Sequence, residues 1–515
     1  MSASTERKNR IAAREAGTDK KTIAAQKEAE KKAKANRRWT IGTIAVLLCI
    51  LLIILANTNL LYTAPTALTI GNEKYSAAET NYYFGNEYLS FVNNYGSYAS
   101  MFGLDTSKGI SGLDSQESPM GEGTWRDYFL DMAKSDMVQT KALLDYAASE
   151  GITLDEETIA KVDESIQGIA ETAKSYGYSN ANQLLATNYG KGVTTKIARQ
   201  AMLDAELSSK AYNVKRDSFT YTEDELEEYY KGLDGESDVF AFSYYYVTAE
   251  KETNADGEET VSEEALSAAK AQADAIVSAY KEGSGDAAVR FAEAVAAEAD
   301  GASSTDRTNV SGSALSSAYK DWMKGSRKTG DIEVFADAEE NAEGYYVVVF
   351  SDRSDNHYPT ASVRHILIKA EADADGNYTD EAKAAAKARA EEILAEYEAG
   401  EKTEESFAAL AEAYSEDGGS NTNGGLYEDI YKGQMVEEFD RFSFEGHKPG
   451  DTAIVYGESG SYAGYHVVYY VGEGELYSSY LAKTDMQNEA LTEWSEDLFA
   501  NYEATEGSGM RFVGK

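Results

Sequence analysis

Apolar positions follow three patterns along the chain, and each predicts a different kind of element. From Ile41 to Ala56 they form an almost unbroken run. With Trp39 and Thr40 in front, this predicts one transmembrane helix over 39–57, long enough for a bilayer core of about 30 Å. From Thr66 to Gly232 the spacing is helical. Trp125, Phe129, Met132, Leu143, Leu144 and Ala147 recur near that period, and Gly151 is a helix stop. Thr153-Leu-Asp-Glu156 reads as a capping box ahead of Ile159, Val162, Ile166 and Ile169, which share one face. Thr222-Glu-Asp-Glu225 reads as a second, ahead of Leu226, Tyr229 and Tyr230. These features predict a helical domain over 66–235, rich in Tyr and Met. Strand-like segments follow at Val239–Val247 and Val363–Ile368. A last helix, with Leu491, Trp494, Leu498 and Tyr502 on one face, is expected within 475–515 to pack back on the helical domain.

The stretch after 235 repeats itself with a shift of about 120 residues. Each copy starts with a strand and an Ala-rich helix closing on Tyr-x-x-Gly, at Tyr280–Gly283 and Tyr397–Gly400. A second Ala-rich segment opens on Phe-Ala, at Phe291 and Phe407. Lys328-Thr-Gly-Asp331 then matches Lys448-Pro-Gly-Asp451, and Gly344-Tyr-Tyr-Val matches Gly464-Tyr-His-Val. A unit this long is a duplicated domain, not a solenoid repeat. Strand, two helices, loop, short helix and two strands suit an antiparallel sheet flanked by helices, so the fold class is α+β.

Charge divides the chain. Residues 1–38 hold 12 Lys/Arg against 5 Asp/Glu, whereas the whole chain holds 48 against 89 and carries a net −41. A basic tail ahead of the apolar run predicts a cytoplasmic N-terminus, with everything after about Asn57 outside the membrane. The acidic remainder lacks the clustered cations that nucleic acid requires, so no nucleic-acid partner is expected. The only cysteine, Cys49, lies inside the apolar run. An intrachain disulfide is therefore excluded, and a buried thiol is the reading for it.

Candidate chemistry is concentrated in the second copy. All four histidines lie late in the chain, at 357, 365, 447 and 466. His365 sits in the first strand of that copy and His466 in the last. Strands far apart in sequence pair side by side in such a sheet, which would bring the two imidazoles within hydrogen-bond reach. His357 and His447 lie in polar loops and receive no role. In the first copy Tyr244 and Tyr346 take the two histidine places, Asp300 aligns with Asp417, and nothing matches Gly433-Gln-Met435. No ligand set with metal-binding spacing stands out, and no metal or other cofactor is expected.

Val363-Arg-His-Ile-Leu-Ile-Lys369, Phe407-Ala-Ala-Leu-Ala, Tyr414-Ser-Glu-Asp417, Gly424-Gly-Leu426, Gly433-Gln-Met-Val-Glu-Glu-Phe439, Lys448-Pro-Gly-Asp451 and Gly464-Tyr-His466 occur in that order. The series resembles the parvulin-type peptidyl-prolyl isomerases. The layout from about Thr66 onward resembles, more loosely, the extracytoplasmic foldases of the PrsA and SurA class. The resemblance implies a rotamase domain over 361–474 and a degenerate parvulin-like copy over 236–352. It implies that His365, Asp417 and His466 are the catalytic residues and that Leu426, Gln434, Met435 and Phe439 bind the substrate. The loop from Gly425 to Gln434 is about one residue longer than usual, which puts the placement of Leu426 in question, and Ala463 stands where some members have a hydroxyl. The expected partners are unfolded or partly folded exported proteins with X–Pro bonds, with a homodimer as a further association. The implied setting is the outer face of a bacterial cell membrane. The second class of function is a non-catalytic holdase that uses the helical domain and inactive parvulin folds.

Overall fold

The structure, a computed structural model, describes residues 3–17, 20–253, 259–338, 341–460 and 462–515. The chain divides into two compact units, one formed by residues 1–218 with 490–515 and the other by residues 219–489.

The first unit opens with two helices, Ala3–Glu15 and Lys20–Asn57. Here the sequence expectation is corrected. Among the described residues no helix is long and apolar enough to cross a membrane. The apolar stretch is the second half of a 38-residue helix whose first half is dense in Lys and Glu. The run from Ile41 to Ala56 falls short of the roughly 20 apolar residues that a span needs. The transmembrane helix at 39–57 is withdrawn, and with it the placement of the chain at the outer face of a membrane.

The core of this unit is aromatic. Phe84, Phe91, Trp125 and Phe129 interlock at ring-centroid separations of 5.1–6.4 Å. Helix Ala77–Tyr95 starts on a reciprocal Ser76–Glu79 capping box, and helix Trp125–Glu150 ends on Gly151 at φ 69°. The helix expected from Thr153 starts later, at Glu156, because the Asp155 carboxylate takes the cap and accepts from Thr158 N at 2.8 Å. The end of the chain closes the unit. Strand Ala504–Glu506 pairs antiparallel with Thr66–Ile70, and Arg126 donates to Val513 O at 3.0 and 2.9 Å. Trp494 packs edge-on against Tyr146.

In the second unit, helix Glu223–Gly232 begins on the Thr222–Glu225 capping box expected from the sequence. Two similar layers follow. The first comprises β1 (Val239–Thr248), α1 (Glu263–Glu282), α2 (Ala287–Glu298), β2 (Thr305–Ser311), α3 (Lys320–Lys324), β3 (Ile332–Ala336) and β4 (Gly344–Ser354). The second comprises β5 (Pro359–Lys369), α4 (Asp380–Ala399), α5 (Glu404–Tyr414), β6 (Leu426–Ile430), α6 (Glu437–Phe444), β7 (Thr452–Ser459) and β8 (Tyr462–Leu476). Helix α7 (Tyr477–Phe499) comes next. The sheets have orders β2-β1-β4-β3 and β6-β5-β8-β7, antiparallel throughout. This is the mixed helix-and-sheet architecture read from the sequence.

Side chains alternate across a strand, so a sheet covered on both faces needs apolar residues at both parities. Ile366, Ile368, Val467 and Tyr469 bury one face of the second sheet among residues of α4 and α5. Val363, Val468 and Tyr470 bury the other against Phe439 and Phe442 of α6. His365 and His466 belong to this second face.

Candidate active site

Backbone pairing sets His365 and His466 one step apart on neighbouring strands. His365 lies opposite Val468, and His466 lies opposite Leu367. Both rings are buried, at 3% and 5% exposure, and they stack at 5.2 Å with Nδ1 facing Nδ1 across 2.9 Å. His365 Nε2 reaches Asp417 Oδ2 at 2.9 Å and Ser420 Oγ at 3.0 Å. Asp417 also accepts from Ser420 Oγ (2.6 Å), Tyr427 Oη (3.0 Å) and Gly419 N (3.2 Å). At the far end, Tyr462 Oη lies 3.0 Å from His466 Nε2.

These bonds fix where charge resides. The hydrogen bond to His365, with those from Ser420 and Gly419, holds the Asp417 carboxyl far below the usual carboxylate range. Burial pushes His466 down to about 3, with the neighbouring His365 adding to the effect, so its ring is neutral at ordinary pH. An ionised Asp417 only accepts, so His365 Nε2 carries a proton. His365 Nδ1 and His466 Nδ1 share the next hydrogen bond, and Tyr462 Oη closes the far end at His466 Nε2. The result is a hydrogen-bonded row from Tyr462 to Asp417 in which every buried ring nitrogen has a partner.

Two glycines make room for it. A Cβ on Gly457 of β7 would lie 2.6 Å from His466 Nε2, and one on Gly425 would lie 2.2 Å from His365 O. Gly425 also sits at φ 73°, and its carbonyl accepts from His365 N at 2.8 Å. Over the pair lies the ring of Phe439, edge-on to His365 at 5.5 Å and to His466 at 5.3 Å. Met435 is half-buried against the same cluster. It precedes α6 instead of lying within it.

The sequence-picked substrate residues divide. Phe439 lies over the histidines, and Met435 packs against the cluster that holds Phe439. Gln434 is exposed, and its side chain closes its own turn by accepting from Tyr431 N at 3.1 Å. Leu426 pairs with Arg364 on the face of α4 and α5, whereas its neighbour Tyr427 pairs with Val363 on the histidine face. Strand alternation thus brings Tyr427, not Leu426, to the site, where its ring lies 5.3 Å from His365. Ser420, Tyr427 and Tyr462 were not picked out from the sequence. Tyr462 carries a legible signal, because positions 462 and 466 share one face of a strand.

The first copy keeps the register but not the chemistry. Tyr244 lies opposite Val348 as His365 lies opposite Val468, and Tyr346 stands in the place of His466. Tyr346 joins an aromatic cluster with Tyr246 and Tyr319.

The site is thus a buried, hydrogen-bonded histidine pair under an aromatic ring, on a sheet of this strand order. Residues 345–470, from β4 through β8, match the PPIC-type PPIASE domain family, so the chain carries a peptidyl-prolyl isomerase domain of that type. It is similar to the chaperone SurA of Alkalilimnicola ehrlichii, 27% identical over 323 residues that cover 61% of this chain and 67% of that protein. Among solved structures, the peptidylprolyl isomerase PrsA of Bacillus cereus is 24% identical, with a TM-score of 0.18, over 28% of this chain and 50% of its own length. The foldase PrsA of Streptococcus pneumoniae is 14% identical, with a TM-score of 0.22, over 76% of this chain and 96% of its own. The family match and the SurA relative support the expected foldase of the SurA/PrsA type.

Proposed function

We propose that the chain speeds cis–trans isomerisation of X–Pro bonds in unfolded or partly folded proteins, with the proline seated on Met435, Phe439 and Tyr427. The observation that carries this reading is the His365–His466 pair, closed at one end by Asp417 and roofed by Phe439. Rotation about an X–Pro bond breaks amide resonance and takes tens to hundreds of seconds unaided. No covalent bond changes, so neither a nucleophile nor a proton acceptor is required. The twisted amide has less charge separation than the planar one. A dry aromatic surface therefore disfavours the planar ground state relative to the transition state. A neutral His466 suits this role, because an imidazolium there would stabilise the charge-separated planar form. Asp417, Ser420 and Tyr462 hold the rings in one orientation.

A protease-coupled assay on a proline tetrapeptide tests the reading. His365→Ala and Met435→Ala are each expected to lower kcat/KM at least tenfold, about 1.4 kcal/mol in the barrier, with the circular dichroism spectrum unchanged. Wild-type rates in both variants would sink the site assignment. The replacement of the histidine pair by Tyr244 and Tyr346 favours binding without turnover in the first copy, the role of a holdase module.

A further inference from the structure

A cleft of about 810 Å³ lies between the two copies inside the second unit. Its floor is the end of the first sheet, where Val239 and Ala241 are half-buried beyond the part covered by α1 and α2. Thr308 and Asn309 bulge from edge strand β2 along one side, with Asn309 at φ 55°. The opposite wall belongs to the catalytic copy. Tyr431 and Tyr477 stack at 4.7 Å, and Lys432 Nζ sits 4.4 Å from the centre of the Tyr358 ring. Stacked tyrosines beside a strand edge suit an extended polypeptide, which offers side chains to the rings and backbone groups to the edge.

The cleft ends at the segment that leads into the proposed proline seat. Gly433 lines it, two residues before Met435, and Gly433 N donates to Asp440 Oδ1 of α6 at 2.7 Å. Two residues of chain span at most about 7 Å. A polypeptide lying against Gly433 is therefore only a few residues away from a proline on Phe439.

We infer that this cleft holds the client segment flanking the bound proline, so that the catalytic copy and the first copy grip one unfolded chain together. The inference rests on the isomerase reading of the Phe439 surface, and two substrates separate the two claims. A proline tetrapeptide, at most about 14 Å long, does not fill both places. A reduced, carboxymethylated protein whose refolding is limited by one X–Pro bond does. Thr308→Trp fills the cleft from an exposed strand position, and Tyr477→Ala removes a wall ring. In the full chain both variants are expected to keep kcat/KM on the tetrapeptide within twofold, while KM for the refolding protein rises five- to tenfold at constant kcat. Unchanged KM for the refolding protein overturns the inference. So do equal losses on both substrates, which would make the cleft a support for the catalytic loop. If the unsubstituted chain fails on the tetrapeptide, the isomerase reading falls instead. Anisotropy of the labelled unfolded protein then reads the cleft alone: weaker binding by Thr308→Trp upholds it, and equal binding overturns it.

Discussion

His466 is a titratable ring held in a place that suits only its neutral form, and this links the site to acid stability. In the folded chain its pKa is pushed down to about 3, against 6.5 for a free imidazole. Between those values the unfolded chain binds a proton that the folded chain refuses, so stability falls as pH drops through that window and is whole above it. The slope from this one ring reaches up to about 1.4 kcal/mol per pH unit. Asp417 acts lower down, with its contribution present above about pH 4 and lost as pH falls toward its depressed folded value. Urea titrations from pH 7 to 4 should therefore show a steeper loss for the wild type than for His466→Gln, which keeps polar atoms without the titration. Parallel curves would show that the ring is not held neutral. The two histidines were legible as a pair from their positions in two strands. Their hydrogen-bond partners were not, because Asp417 and Ser420 arrive from the loop after α5 and Tyr462 from the start of β8.

Strand parity decides which side chains reach the site. Leu426 was picked from the motif, yet β6 pairs so that Tyr427 faces the histidines, and a one-residue difference in a strand exchanges the faces. The sequence carried a warning in the longer loop after Gly425, but pairing register is a long-range property that a motif does not encode. Gly457 shows the same dependence from the other side. Its missing side chain leaves space that His466 Nε2 and Val436 Cγ2 occupy, at 2.6 and 2.9 Å from a built Cβ. Gly457→Ala should shift the ring of His466, cost about 1–3 kcal/mol in urea unfolding, and slow tetrapeptide isomerisation. Wild-type stability and rate together would mean that β7 yields without disturbing the pair.

At the scale of the molecule, the duplication was visible because five kinds of local feature recur in order, each recognisable alone. The closure of the first unit by the last residues could be read only as a helix seeking a partner, since three-residue strands such as Ala504–Glu506 leave almost no pattern. The carbonyl of Val513 is held by the Arg126 guanidinium, and Val513 is fully buried. Arg126→Ala should destabilise this unit by about 1–3 kcal/mol while tetrapeptide isomerisation, which resides in residues 219–489, stays at the wild-type rate. Equal loss of both would show that the two units unfold as one.

The same closure sets a clock on biogenesis. Residues 219–489 stand between the two parts of the first unit, so a nascent chain has the whole rotamase domain before it has the strand that completes the first unit. At about 5–20 residues per second, the segment from 218 to the end takes roughly 15 to 60 seconds to emerge. Through that interval Leu68 and Ile70 await a strand that has not been made, and the rotamase behind them is complete only once β8 has emerged, about 30 residues earlier than that strand. For roughly the last 1.5 to 6 seconds the newborn chain is an unfinished protein tethered to a complete rotamase domain.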